Sequence, residues 1–380
     1  MNFEVLTNFL DTLPKRGIPG VDCAIYYKNK SVYRHSAGYA DVKSRRPITS
    51  DDLYYLYSAT KVITCTAALQ LFEKGRFLMT DPLYEYLPEF RDMDVRHKLS
   101  DGHIEKRPAL NSIKVQDLFT MSAGLTYNIN SEWINAVKIK TEGRCPTRQT
   151  VEAISKEPLM FEPGTHWNYS LCHDVLGALI EVISGQSFSN YLREHIFEPV
   201  GMKDTGFSVS DDKLGRIATK YCFNDKLKIA EETPADNIYK IGTEYESGGA
   251  GLISSVDDYI LFANALCNNG RTIMGEKILS KCTIDLMRTN HLSDVALWDF
   301  NWVQMSGYGY GLGVRTMINK ALGGSVSSIG EFGWGGAAGA YVLIDPECEL
   351  TVFYAQHLLN SMEPFVHPRI RNIVYLCLDA

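Results

Sequence analysis

The sequence predicts an α+β fold: an antiparallel sheet built from both termini, flanked by helices, with an inserted mostly helical subdomain. Three observations predict it. Strand patterns punctuated by turns occur near residue 30 and again near residue 350, at opposite ends of the chain. The stretch between them reads as helices and loops. A run from Val62 to Phe72 is apolar almost all round, which marks a helix buried in the middle of a domain. The implied division is 1–85 with 240–380 as an α/β subdomain and 86–239 as a helical subdomain, with a cleft where they meet.

The elements follow in order. An amphipathic first helix carries Phe3, Leu6, Phe9, Leu10 and Leu13 on one side. Val21 to Tyr27 and Ser31 to Ala37 are strands joined by the turn Lys28-Asn29-Lys30. Tyr54-Tyr55-Leu56-Tyr57 is an extended lead into the apolar helix, and Gly75 stops that helix after Glu73 and Lys74. From Thr80-Asp81-Pro82 the chain becomes helical and loop-rich, with Pro88 and a charged stretch from Arg91 to Lys106. Helices are expected over 114–121, 151–156, 174–183 and 189–197. Ser254-Ser255-Val256-Asp257-Asp258 opens another with good N-cap chemistry. Residues 340–344 and 350–356 flank Asp345-Pro346-Glu347-Cys348 as a hairpin, and a final helix runs from Pro368 to Leu378.

Composition narrows the function classes. The 380 residues are 45% hydrophobic and 22% charged, an ordinary globular balance with ample core. A net charge of −7 argues against nucleic acid or an anionic membrane surface as a partner. No run approaches the ~18 apolar residues needed to span a bilayer. The N-terminus lacks a basic segment followed by an apolar one, so no secretory signal is expected. Nine cysteines are scattered as singletons with no C-x-x-C pair, which fits reduced thiols in the cytoplasm. H-E-x-x-H, a P-loop, G-x-G-x-x-G and G-x-S-x-G are all absent, and no metal or cofactor is implied.

Ser58-Ala59-Thr60-Lys61 is the most informative stretch. Three-residue spacing on a helix puts the Ser58 hydroxyl and the Lys61 amine on one face. A serine is a poor nucleophile until a neighbouring base takes its proton, and a lysine can be that base. The competing expectation is an N-cap serine beside a lysine reaching outward to solvent. Tyr169, in Trp167-Asn168-Tyr169-Ser170, puts a phenol on a loop at a helix entrance, able to shuttle protons or simply to bond a backbone carbonyl. Trp334-Gly335-Gly336-Ala337 precedes a strand, where consecutive glycines permit close approach of another backbone.

Together these pieces resemble the serine β-lactamase and penicillin-binding-protein superfamily, in its class C-like branch, closest to the family VIII carboxylesterases. The resemblance covers nearly the whole chain and implies one β-lactamase-like catalytic domain. Ser58-x-x-Lys61 matches the nucleophile motif, and Gly75 to Pro82 matches the segment after its helix. Val115 to Leu125 looks like the family's V-x-D-L-L-T-H-x-S-G-L stretch, with Met121 in place of histidine. The tyrosine motif lacks the amide of Y-x-N; Tyr169-Ser170 followed by Asp174 resembles the Y-S-x-x-x-D form of the esterase branch. Where a K-T-G motif would supply a cation, Trp334-Gly335-Gly336 stands instead, which forfeits a charge-assisted hydrogen bond worth about 1.5–3 kcal/mol.

The resemblance implies a serine hydrolase working through an acyl-enzyme on a small ester or amide. Ser58 attacks, Lys61 and Tyr169 move the proton, and the backbone N–H groups of Ser58 and Ala337 form the oxyanion hole. Trp334, Gly335 and Gly336 contact substrate, while Asp174 either orients the tyrosine loop or caps its helix. The alternatives are a β-lactamase or D-alanyl-D-alanine-type peptidase, or a non-catalytic binding protein of the same fold. His166 and His173 flank Tyr169, but no motif ties either to Ser58. Tyr57, Tyr127, Trp133, Trp298, Trp302 and Trp334 are aromatic candidates for an acyl pocket, and such residues more often belong to the core.

Overall fold

A computed structural model describes residues 1–99, 101–301, 305–360 and 362–379. The chain begins with α1 (Glu4–Thr12), β1 (Gly20–Tyr27), β2 (Lys30–Asp41), β3 (Arg46–Pro47) and β4 (Leu53–Tyr55), and a single 3-10 turn, Tyr57–Ala59, leads into α2 (Thr60–Glu73). The middle holds the hairpin of β5 (Asp94–Lys98) and β6 (Ile104–Pro108). It continues through α3 (Val115–Phe119), α4 (Glu132–Lys140), α5 (Thr147–Ile154), α6 (Cys172–Ser184), α7 (Phe188–Leu192) and α8 (Glu198–Val200). A second hairpin, β7 (Tyr221–Asn224) and β8 (Ile229–Glu232), precedes β9 (Ile253–Ser255), α9 (Val256–Cys267), α10 (Lys281–Met287) and α11 (Asp294–Phe300). The chain closes with β10 (Tyr308–Tyr310), β11 (Arg315–Met317), α12 (Lys320–Gly323), β12 (Phe332–Gly333), β13 (Tyr341–Asp345), β14 (Leu350–Ala355), β15 (Leu358–Leu359) and α13 (Glu363–Asp379).

Eight strands form the main sheet in the order β10-β11-β12-β13-β14-β1-β2-β3. The N-terminal hairpin is thus stitched to the C-terminal one, with β1 antiparallel to β14 from Asp22↔Ala355 to Tyr27↔Leu350. Both strands are buried along almost their whole length, because each sheet face is covered. On one face Leu6 and Leu10 of α1 pack with Val366, Ile370 and Val374 of α13. On the other, α2 and α9 join a larger core that continues into the middle helices.

The expected helices and terminal hairpins form, with displaced boundaries. The charged stretch from Arg91 to Lys106 is largely the β5–β6 hairpin and not a loop; its alternating polar residues carry no apolar stripe to announce a strand. The helix expected at 151 starts four residues earlier, at Thr147. The last helix begins at Glu363, so Pro368 lies inside it. Proline there removes one backbone hydrogen bond, but the apolar contacts of Val366, Ile370 and Val374 bind both halves of the helix to the sheet. Among the described residues, no helix is long and apolar enough to cross a membrane.

Candidate active site

Ser58 sits at the end of a short strand. β4 pairs with β9, and the Leu56 N–H extends the ribbon by donating to the Leu252 carbonyl at 2.9 Å. Tyr57 then adopts φ +45°, a left-handed conformation strained for a bulky residue by about 1–3 kcal/mol. Packing holds it, with the ring buried against Tyr55 and Tyr239. Ser58 follows in the tight turn, and α2 is capped by no side chain. The N-cap expectation for Ser58 therefore fails. Lys61, one turn on, is fully buried, so the outward-reaching lysine fails too.

Tyr169 is strapped down by its loop. The Asn168 N–H donates to the Met121 carbonyl at 3.0 Å and the Leu171 N–H to the Thr126 carbonyl at 3.1 Å. The segment containing Met121 thus supports the tyrosine, and Met121 itself takes φ +58° to do so. The Tyr169 ring is stacked between Tyr127 (centroids 5.5 Å apart) and Trp334 (5.9 Å).

These supports bring three groups together. The Tyr169 hydroxyl donates to Ser58 Oγ at 2.6 Å, while Lys61 Nζ lies 3.3 Å from the same oxygen. Lys61 Nζ also donates to the Gly249 carbonyl at 2.6 Å and sits 4.6 Å from the centre of the Tyr169 ring. A hydroxyl faced by an amine and a phenol at these distances can lose its proton to either group as it attacks an electrophile.

The glycine-rich turn closes the opposite side. The Gly336 N–H donates to the Ala340 carbonyl at 2.9 Å, and the turn presses against the backbone before Ser58. A Cβ on Gly336 would lie 2.2 Å from the Leu56 carbonyl oxygen, so only glycine fits. Gly335, expected beside the substrate, instead faces His367 of α13 and lines a pocket with Arg315 and Tyr341. Trp334 is buried, with its indole N–H 3.4 Å from the Tyr169 hydroxyl and its ring edge-on to Tyr310.

Other expectations need correction. Asp174 does not cap its helix, whose N-cap is Leu171, nor does it bond the tyrosine loop. Its carboxylate turns to the 245–251 segment, accepting from Tyr245 Oη at 2.8 Å and Ser247 Oγ at 2.6 Å. His173 is a core residue, 3.2 Å from the Phe119 carbonyl; burial first, then the nearby Lys61 charge, pushes its pKa down to about 3. His166 is paired with Asp299 at the surface. Trp298 is 80% exposed, Trp133 is half-exposed on α4, and Trp302 lies outside the described residues. Two contributors escaped the sequence reading: Tyr239, whose ring edge meets Tyr57 and Tyr127, and Gly249. The doublet Gly248-Gly249 was the available signal for the second, of the same kind as Gly335-Gly336.

A helix-borne serine between a buried lysine and a loop tyrosine, set against an antiparallel sheet made from both termini, defines a class of serine-centred site. The chain belongs to the Beta-lactamase family, whose model matches residues 6–376. Protein Rv1367c of Mycobacterium tuberculosis is 28% identical over 89% of this chain and 85% of its own length. Esterase EstB of Burkholderia gladioli is 27% identical over 90% of this chain and 87% of its own. The solved structure of EstCE1, described as a hydrolase with promiscuous acyltransferase activity, shares the fold with a TM-score of 0.79, covering 97% of both chains at 24% identity.

Proposed function

We propose that the protein is a serine hydrolase that cleaves small esters through an acyl-enzyme. The observation that carries this reading is the convergence of Tyr169 Oη and Lys61 Nζ on Ser58 Oγ, at 2.6 and 3.3 Å. Ser58 Oγ bonds to the ester carbonyl carbon while its proton passes to the Lys61–Tyr169 pair. The N–H groups of Ser58 and Ala337 stabilise the oxyanion. Collapse breaks the bond to the alkoxy leaving group, which departs with that proton. Water, or a second alcohol, then attacks the acyl carbon by the same steps reversed.

Lys61 is placed for this role: its bond to the Gly249 carbonyl holds Nζ against Ser58 Oγ. Trp334 in place of a cation favours uncharged acyl groups over substrates with a carboxylate. A cavity of about 700 Å³ over the β4–β9 ribbon has a mixed lining, with Tyr55, Phe207 and Ile253 beside Asn130, Lys138 and Asp236. The nine free cysteines support a reducing, cytoplasmic setting, with a small acyl compound and neither nucleic acid nor membrane as partner.

The test is a paired steady-state assay with p-nitrophenyl butyrate and nitrocefin, each with wild type and Ser58→Ala. The expected result is ester turnover well above nitrocefin turnover, lost in the variant. The reverse preference would transfer the reading to a β-lactamase or D-alanyl-D-alanine-type peptidase. Inertness of the folded protein toward both would leave a binding protein.

A further inference from the structure

Lys61 is fully buried, and its Nζ contacts a hydroxyl, a carbonyl and a tyrosine ring, with no carboxylate within ion-pair distance among the described residues. The Asp174 carboxyl group lies behind the Gly249 peptide. A Cβ on Gly249 would stand 2.6 Å from Asp174 Oδ2 and 3.4 Å from Lys61 Nζ, so these two atoms are within about 6 Å of each other across a gap that only glycine leaves open. We propose that Asp174 is a positioning residue that acts on Lys61 through this gap, holding the 245–251 segment so that the Gly249 carbonyl is aimed at Nζ.

The hydrogen bonds fix that role. The Ala250 N–H donates to Ser247 Oγ, so the Ser247 hydroxyl proton is free to go to Asp174 Oδ1, where Tyr245 Oη also donates. Oδ2 approaches the Gly249 amide without closing a well-formed bond. Every neighbour of the carboxyl is a donor, which solvates the ionised form. Burial opposes this and raises the Asp174 pKa; the Ser247 bond and the Lys61 charge pull it back down. The loop is pinned between helices: Thr64 Oγ1 of α2 donates to the Gly248 carbonyl at 2.7 Å, and a Cβ on Gly248 would lie 2.3 Å from the His173 carbonyl oxygen of α6.

The groups facing Lys61 are Tyr169 and Tyr127 from loops, Cys65 on its own helix, His173 and Asp174 from α6, and Tyr245 behind Asp174. His173 stays neutral above pH ~3, and burial raises the Cys65 thiol and the Tyr127 and Tyr245 phenols out of the working range. Asp174 is the carboxyl group among them, within about 6 Å of Nζ on the far side of the Gly249 peptide.

The inference rests on the reading of Ser58 as nucleophile and Lys61 as base, and the experiment separates the two. The rate of fluorophosphonate labelling at Ser58 is followed from pH 5 to 10 in wild type, Asp174→Asn and Gly249→Ala, each checked for folding by its melting curve. Asp174→Asn, with an unchanged melting curve, is expected to slow labelling about tenfold and to change the shape of the pH profile. Gly249→Ala, which puts a methyl group into the gap, is expected to slow labelling at least tenfold. A wild-type rate and profile in Asp174→Asn overturns the inference alone, as does a wild-type rate in Gly249→Ala, which decides the matter if the Asn variant does not fold. Wild type that never labels overturns the reading of Ser58 and the inference with it.

Discussion

The two walls of the cleft are made of opposite materials. The α2 wall is polar at the point of chemistry: Ser58 and Lys61 are held by hydroxyls and by the Gly249 carbonyl, and each is engaged by a named partner. The strand wall is aromatic, with Trp334 stacked on Tyr169 and edge-on to Tyr310. Arg315, opposite Gly333 on the neighbouring strand, cannot replace the missing cation, because it is committed to Glu331 and to the Val342 carbonyl. On the proposed function, the difference assigns the reaction to the first wall and the choice of substrate to the second. The contacts that join the walls include the stacking of Tyr169 on Trp334 and the approach of Gly336 to Leu56.

Changes to the first wall should cost most. Ser58→Ala is expected to lower ester turnover by at least ~10³-fold with an unchanged melting temperature. Turnover that survives would move the chemistry off this wall. Tyr169→Phe keeps both stacking faces but removes the hydroxyl at 2.6 Å, and a ~10²–10⁴-fold fall in kcat is expected. Gly336→Ala tests the seam between the walls: a methyl 2.2 Å from the Leu56 oxygen must displace the turn. A loss of roughly 10²-fold, with a lower melting temperature, should follow from the misplaced oxyanion donor. Wild-type activity there would show the seam to be slack.

The second wall should respond in selectivity. Trp334→Lys is expected to shift the ratio of anionic to neutral acyl substrates by roughly 10–100-fold in kcat/KM, the equivalent of one charge-assisted hydrogen bond. A uniform loss on both substrates would assign Trp334 to packing alone. The smallest effect concerns stability. The pKa of His173, held down near 3 in the fold, lies near 6.5 in the unfolded chain, so the unfolded state binds the extra proton between these values. The penalty is absent above pH 6.5 and grows as pH falls toward 3, reaching about 2 kcal/mol at pH 5. His173→Gln should therefore lose less melting temperature between pH 7 and pH 5 than wild type, and equal losses would contradict the buried neutral imidazole.

Legibility in the sequence follows the range of the interactions. The apolar run of α2 and the terminal hairpins could be read because periodicity is local and burial is strong. Ser58 and Lys61 share one helical turn, so their proximity was predictable from spacing. The β5–β6 hairpin leaves no strand pattern because its residues are mostly polar, with Val95 as a lone buried apolar side chain on β5. Asp174 was seen but given the wrong partner: helix position suggests a cap, whereas its bonds run to Tyr245 and Ser247, more than seventy residues away.

By itself, the sequence determined the sheet-and-helix composition, the serine–lysine pair and the absence of a cation at Trp334, because each is written in residue type and short spacing. Only the tertiary structure decided that Tyr169 reaches Ser58 across 111 residues, that Gly336 abuts Leu56, and that a buried carboxylate stands behind Gly249. Those contacts depend on how α2, α6 and the β12–β13 turn pack against one another, and hydrophobic burial sets that packing without leaving a local pattern in the chain.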